Sequence, residues 1–189
     1  MLAEIRDYII VGFEHIIPLG LDHILFILGI FLTARGLKTL ILQATVFTLA
    51  HSLTLILAAV GMIYAPAEVV EPIIALSIAA LGAEAFFKKD PAATRWRYLL
   101  IFIFGLLHGM GFASQFVELG VPTSSLILAL VSFNVGVELG QLAILFAAWI
   151  LLDFFRDRAW YFPFIQRPLA ALITLTGLYW TVERIFLGG

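Results

Sequence analysis

The chain has 189 residues, of which 62% are hydrophobic and only 13% charged, for a net charge of −2. Its mean hydropathy is +1.07. A soluble domain carries roughly 45–50% apolar and about 25% charged residues, so composition excludes a water-soluble globule and predicts one transmembrane domain over residues 1–189.

Cysteine is absent, which removes disulfides, thiolate metal sites and lipidated cysteines. The N-terminus carries Glu4, Arg6 and Asp7 where a secretory signal would have a basic region, so no cleaved leader is expected. In chain order, a helical piece over Ile5–Ile17 comes first. Six apolar runs follow, at Leu19–Ala34, Leu37–Tyr64, Val69–Phe87, Tyr98–Phe116, Ser125–Leu152 and Leu169–Phe186. Each approaches the roughly 20 residues a helix needs to span a bilayer. Pro18 and Gly20 are expected to break the first piece from the first run. That piece is therefore open to being re-entrant, interfacial or a seventh span. The fold class is an all-α integral membrane protein: six transmembrane helices preceded by a short, broken N-terminal helix.

Lys and Arg set the orientation. The connections at 35–38, 88–97 and 153–168 hold nine of the eleven basic residues, leaving Arg6 and Arg184 for the rest of the chain. Every second connection is thus basic, which predicts both termini outside the cytoplasm.

The polar residues inside the apolar runs carry the functional signal. All four histidines, His15, His23, His51 and His108, fall within or at the edge of these runs. Charges at mid-membrane cost about 2.5–3.5 kcal/mol on insertion scales, so ionisable groups there mark functional sites. "HIIPLGLDH" places His15, Asp22 and His23 around the break. On a straight helix seven residues span ~10.5 Å, so His15 and Asp22 converge only if the chain folds back at Pro18–Gly20. In "FTLAHSLT", Thr48, His51 and Ser52 share a face. In "FGLLHGMGFASQ", His108 and Gln115 lie near one face, beside the close-packing pair Gly105 and Gly109. "SFNVGVELGQL" aligns Asn134, Glu138 and Gln141 at i, i+4, i+7, with Gly136 and Gly140 alongside.

Imidazole and carboxylate without thiolate suit a divalent ion, Ni²⁺, Co²⁺, Zn²⁺ or Fe²⁺. The expected ligands are His15, Asp22, His23, His51, His108 and Glu138, with Ser52, Glu71, Asn134 and Gln141 as supporting or pathway groups. Binding should weaken at low pH, because imidazole coordinates only when neutral. Each residue also has a plainer reading. A single buried His is more often a hydrogen-bonded core residue, Glu71 before Pro72 suits a helix cap, and Glu84 suits a solvated helix end. Glu183–Arg184 reads as a structural pair and the 17 Phe as lipid-facing bulk. The glycine pairs serve internal packing and homo-oligomer formation equally. Membrane lipid and a metal ion are the expected partners; nothing points to nucleic acid.

Five ordered motifs, "GFEHIIPLGLDHILFILGIFL", "FTLAHSLTL", "VEPIIALSI", "FGLLHGMGFA" and "FNVGVELGQL", make the chain from about Gly12 to Arg184 resemble the HupE/UreJ family of membrane proteins. The resemblance implies a nickel or cobalt permease in a bacterial inner membrane. It places His15, Asp22 and His23 on the family's first His…Asp-His motif and His108 on its later His-Gly motif. The chain departs from the hydrogenase-linked branch in having one more residue between its first His and the Asp-His pair. Phe104 and Gly111 stand where that branch has a second His and a trailing Glu; His51 and Glu138 are expected to take their place. The function expected is a divalent transition-metal permease. The alternative is an intramembrane zinc-dependent hydrolase with Glu138 or Glu71 as general base. A third role, as a membrane anchor for a metal-handling partner, would leave the histidines individually dispensable.

Overall fold

The computed structural model describes residues 2–89, 94–118 and 121–187. Seven α-helices account for most of it: α1 (Leu2–Ile16), α2 (Leu21–Thr33), α3 (Leu37–Ala59), α4 (Ala67–Phe87), α5 (Arg95–Glu118), α6 (Leu126–Leu152) and α7 (Arg167–Phe186). Two connections turn on glycines with left-handed backbone, Gly36 (φ +80°) before α3 and Gly61 (φ +76°) after it. Only a residue without Cβ takes that conformation at no steric cost.

Three helix pairs, α4 with α7, α3 with α5 and α1 with α6, surround α2. The close approaches explain the glycine pairs. A Cβ at Gly109 would collide with the His51 carbonyl oxygen, and one at Gly105 would press on the Phe47 carbonyl oxygen; a Cβ at Gly136 would collide with the Ile9 carbonyl oxygen. These glycines are therefore used for packing inside the chain. The contacts advance together along α3 and α5, and along α1 and α6, so each of those pairs is parallel. Gly82 meets Thr174 while Gly177 meets Ala75 and Ala79, so α4 and α7 are antiparallel.

The bundle has two distinct ends. The terminal end carries Leu2, the 60–66 and 121–125 connections, and Leu187. The basic end carries the connections after α2, α4 and α6. Among the described residues, α3, α4, Leu126–Phe155 and Phe162–Phe186 are long and apolar enough to cross a membrane. The bent α1–α2 pair makes a fifth crossing if counted as one. At ~1.5 Å per residue, the 24 residues of α5 match their parallel neighbour α3. The N-terminal piece does not span alone. Ile16 lies against Gly140 in the middle of α6, and α2 resumes the descent after a 71° bend. Large apolar side chains such as Leu49, Ile127, Leu172 and Leu175 are exposed on the flanks, as lipid contact requires.

The expectation that phenylalanine is lipid-facing needs correction. Phe26, Phe31, Phe47, Phe116 and Phe133 are fully buried: the first three pack in the core around α2, and Phe116 and Phe133 in a second core with Ile16, Leu55 and Val137. Glu84 also has a firmer role than a solvated helix end: its carboxylate pairs with Arg97 at 2.7 Å. Glu71 does not cap a helix, since α4 starts at Ala67 after Pro66.

Candidate metal centre

The break between α1 and α2 makes the site. Ile17 joins Pro18 by a cis peptide bond, and the chain turns tightly enough for the Gly20 amide to donate to the Ile16 carbonyl at 3.2 Å. A Cβ at Gly20 would collide with the His15 carbonyl oxygen, so the turn closes only with glycine there. The break expected at Pro18–Gly20 is present, but as a 71° bend and not a fold-back, and it brings His15 to His23 where Asp22 was the expected neighbour. The ring centroids of His15 and His23 are 4.8 Å apart. His51 of α3 stands 5.6 Å from His23 and 6.1 Å from His15. His108 of α5 stands 5.1 Å from His23. Ligand atoms of His15, His23 and His51 all lie within 4.8 Å of one another.

The hydrogen bonds fix which nitrogen is free. Asn134 donates through Nδ2 to the Leu130 carbonyl at 2.8 Å, which turns its Oδ1 toward His51 Nδ1 at 3.3 Å. His51 therefore carries its proton on Nδ1 and donates it to Asn134. His108 Nδ1 donates to the Phe104 carbonyl at 2.8 Å. A proton on Nδ1 leaves Nε2 as a lone pair, the usual way that groups around a site prepare imidazole for a metal. The Nε2 atoms of His15, His23, His51 and His108 are all buried without a hydrogen-bond partner. Buried polar atoms are nearly always satisfied, so four orphans in one cluster point to a ligand.

The rings sit in an aromatic collar that no motif in the chain foretold. Phe112 lies 3.9 Å from His15, Phe26 5.2 Å and Phe47 5.0 Å from His108, centroid to centroid. A cavity of about 620 Å³ opens onto His15, His23 and His108, lined among others by Glu14, Asp22, Glu71, Phe112, Trp180 and Arg184.

The other expected site residues lie apart from the three converging imidazoles. Asp22 faces the cavity but pairs with Arg184 at 2.9 Å, and Arg184 also donates to the Glu71 carbonyl at 3.1 Å. Arg184 thus belongs to the cavity wall, whereas Glu183 accepts from the Tyr179 hydroxyl on its own helix. Glu138 accepts from the Thr45 hydroxyl at 2.7 Å, and Gln141 donates to the Thr48 hydroxyl at 3.0 Å, both between α3 and α6. Ser52 donates to the Thr48 carbonyl on its own helix. The side chain of Gln115 lies outside the described residues. Glu14, Trp180 and Arg184 escaped sequence reasoning because they come from helix ends remote in the chain. Only Glu14, next to His15, carried a local hint.

The sequence pattern described as HupE / UreJ protein matches residues 1–184. The chain belongs to the HupE/UreJ family. That family is linked to nickel and cobalt uptake, which agrees with a donor set of imidazoles at a cavity in an apolar helical bundle. Comparison with curated proteins and with solved structures found no match. What this HupE/UreJ protein does with its histidines is therefore argued from its own geometry.

Proposed function

We propose that this HupE/UreJ protein is a permease for a divalent transition-metal cation of the nickel and cobalt type. The observation that carries the reading is the cluster of four bare Nε2 atoms, with His15, His23 and His108 lining the cavity and His51 behind them. Imidazole donors favour Ni²⁺, Co²⁺ and Zn²⁺ over Mg²⁺ or Ca²⁺. His15, His23 and His51 are the ligands on this reading, with His108 beside them as a fourth. The nine basic residues at one end favour a cytoplasmic position for that end, and on this reading the cavity faces outside.

A cation descending the cavity passes Glu14, Asp22 and Glu71, whose carboxylates raise its local concentration. It sheds water as the histidines replace it. Beyond the site lie Phe26, Ile27, Ile30 and Phe47, all fully buried, so the way to the basic end is shut in this conformation. Release then requires a second arrangement, and the broken helix at 17–20 is the natural hinge. Discontinuous helices at mid-membrane sites serve alternating access in this way.

A one-ended cavity also suits the hydrolase reading. Three imidazoles hold Zn²⁺ with an open position for a water whose pKa falls to about 7. Glu71 or Glu14 on the cavity wall would be the base, not Glu138, which faces Thr45. Transport decides between them. In proteoliposomes, wild-type protein should move Ni²⁺ or Co²⁺ at least about tenfold faster than a His51→Ala, His108→Ala double variant. Equal rates would overturn the permease.

A further inference from the structure

Toward the basic end from the histidines, α3 and α6 enclose a second polar cluster that the histidine site does not use. Thr45 and Thr48 face Glu138 and Gln141, pairing three residues apart on each helix. On α6, Glu138 and Gln141 lie ~6 and ~10.5 Å beyond Asn134, the residue that holds His51. On α3, Thr48 and Thr45 lie ~4.5 and ~9 Å beyond His51 in the same direction. The cluster is therefore the next polar layer inward.

Its hydrogen bonds do not balance. Glu138 Oε1 accepts from Thr45, but Oε2 is buried with no partner. Gln141 spends Nε2 on Thr48, and its Oε1 is likewise buried with no partner. Gln141 is fully buried. Two bare acceptors, one of them on a carboxylate, thus lie three residues apart on α6, and on α3 the buried Gln43 amide is likewise without a partner. A desolvated acceptor without a partner is costly, and a cation placed between the two on α6 would relieve both.

We propose that Thr45, Thr48, Glu138 and Gln141 form a second, oxygen-lined station for a divalent cation, between the histidines and the basic end. It rests on the permease reading and deepens it. Oxygen donors hold a borderline cation more weakly than clustered imidazoles and are better matched to Mn²⁺. An ion leaving a nitrogen site for a weaker oxygen site can move on, since conduction needs binding that admits without trapping.

The test uses equilibrium binding to the full chain in detergent, with two probes. Co²⁺ absorption bands report the histidines, and Mn²⁺ resonance titration reports the oxygen station. A His23→Ala, His51→Ala variant should lose the Co²⁺ bands and keep the Mn²⁺ equivalent. Glu138→Gln keeps the side-chain shape and the Thr45 bond; it should retain the Co²⁺ bands while Mn²⁺ affinity falls at least about tenfold. Gln141→Leu should move Mn²⁺ affinity in the same direction, and it decides the matter if Glu138→Gln disturbs both signals. Mn²⁺ affinity within about twofold of wild type in both variants would overturn the station and leave a bridging water as occupant. Metal flux with Mn²⁺ binding independent of residues 138 and 141 removes the station alone. Binding that depends on them, with no flux in wild type, removes the permease.

Discussion

The two ends of α2 are built on opposite rules. At the basic end, Arg156 donates to the Ala34 carbonyl at 2.5 Å and to the Phe31 carbonyl, and lies 4.0 Å over the Phe31 ring. Arg97 bonds Thr33 Oγ1 and pairs with Glu84 at 2.7 Å. Cations and donors here meet the exposed carbonyls and negative dipole of a helix C-terminus. Of these two buried arginines only Nε is left without a hydrogen bond. At the other end, Gly20 offers no side-chain cap, and His23 sits among imidazoles whose outward nitrogens all lack partners. The basic end spends most of its buried polar groups within the chain, though the Tyr161 hydroxyl and the Nε of each arginine stay bare; at the other end the Nε2 of every histidine is bare, and the four rings form one cluster. The clustering of bare atoms sets the two ends apart.

That contrast can be broken at either end. The largest effect is expected from His23→Leu. It should abolish Co²⁺ binding yet leave the thermal midpoint unchanged or raised, because removing a bare buried nitrogen relieves about 1–3 kcal/mol of desolvation. A midpoint lowered by ten degrees would show His23 to be structural. Arg156→Met should do the reverse. Orphaning two buried carbonyls and Asp153 should cost about 2–5 kcal/mol of stability, read as a lower melting temperature with Co²⁺ bands intact. Loss of the bands without loss of stability would erase the distinction between the ends. The smallest effect is expected at the cavity rim. Asp22 and Arg184, 23% and 18% exposed, pair across the wall of the open cavity, where solvent and salt partly screen them. Asp22→Asn should change the KM for uptake by no more than about fivefold and make it less sensitive to salt. A loss comparable to that of His23→Leu would instead make Asp22 a ligand.

Much of this was legible beforehand. Six apolar runs, the break at Pro18–Gly20 and the inward placement of all four histidines follow from periodicity, length and the cost of burying polar groups in lipid. Those are local properties, and local patterns record them. The fates of Asp22 and Glu138 were not legible. Each carboxylate has a partner from another helix, Arg184 across 162 positions and Thr45 across 93. The burial of Phe26, Phe47 and Phe133 was equally hidden, because a phenylalanine facing lipid and one facing a helix look the same in the chain.

The amino-acid order by itself determined that this is a membrane bundle of the HupE/UreJ family with its histidines within or at the edge of the apolar runs, since hydropathy, charge placement and short motifs act residue by residue. Only the tertiary structure decided that His15, His23 and His51 converge, that Asp22 is held by Arg184, and that Glu138 and Gln141 lie in a separate layer. Helix rotation and crossing are set by packing, through glycines that let α3 meet α5 and α1 meet α6. A shift of one residue in that register would turn the same side chains elsewhere.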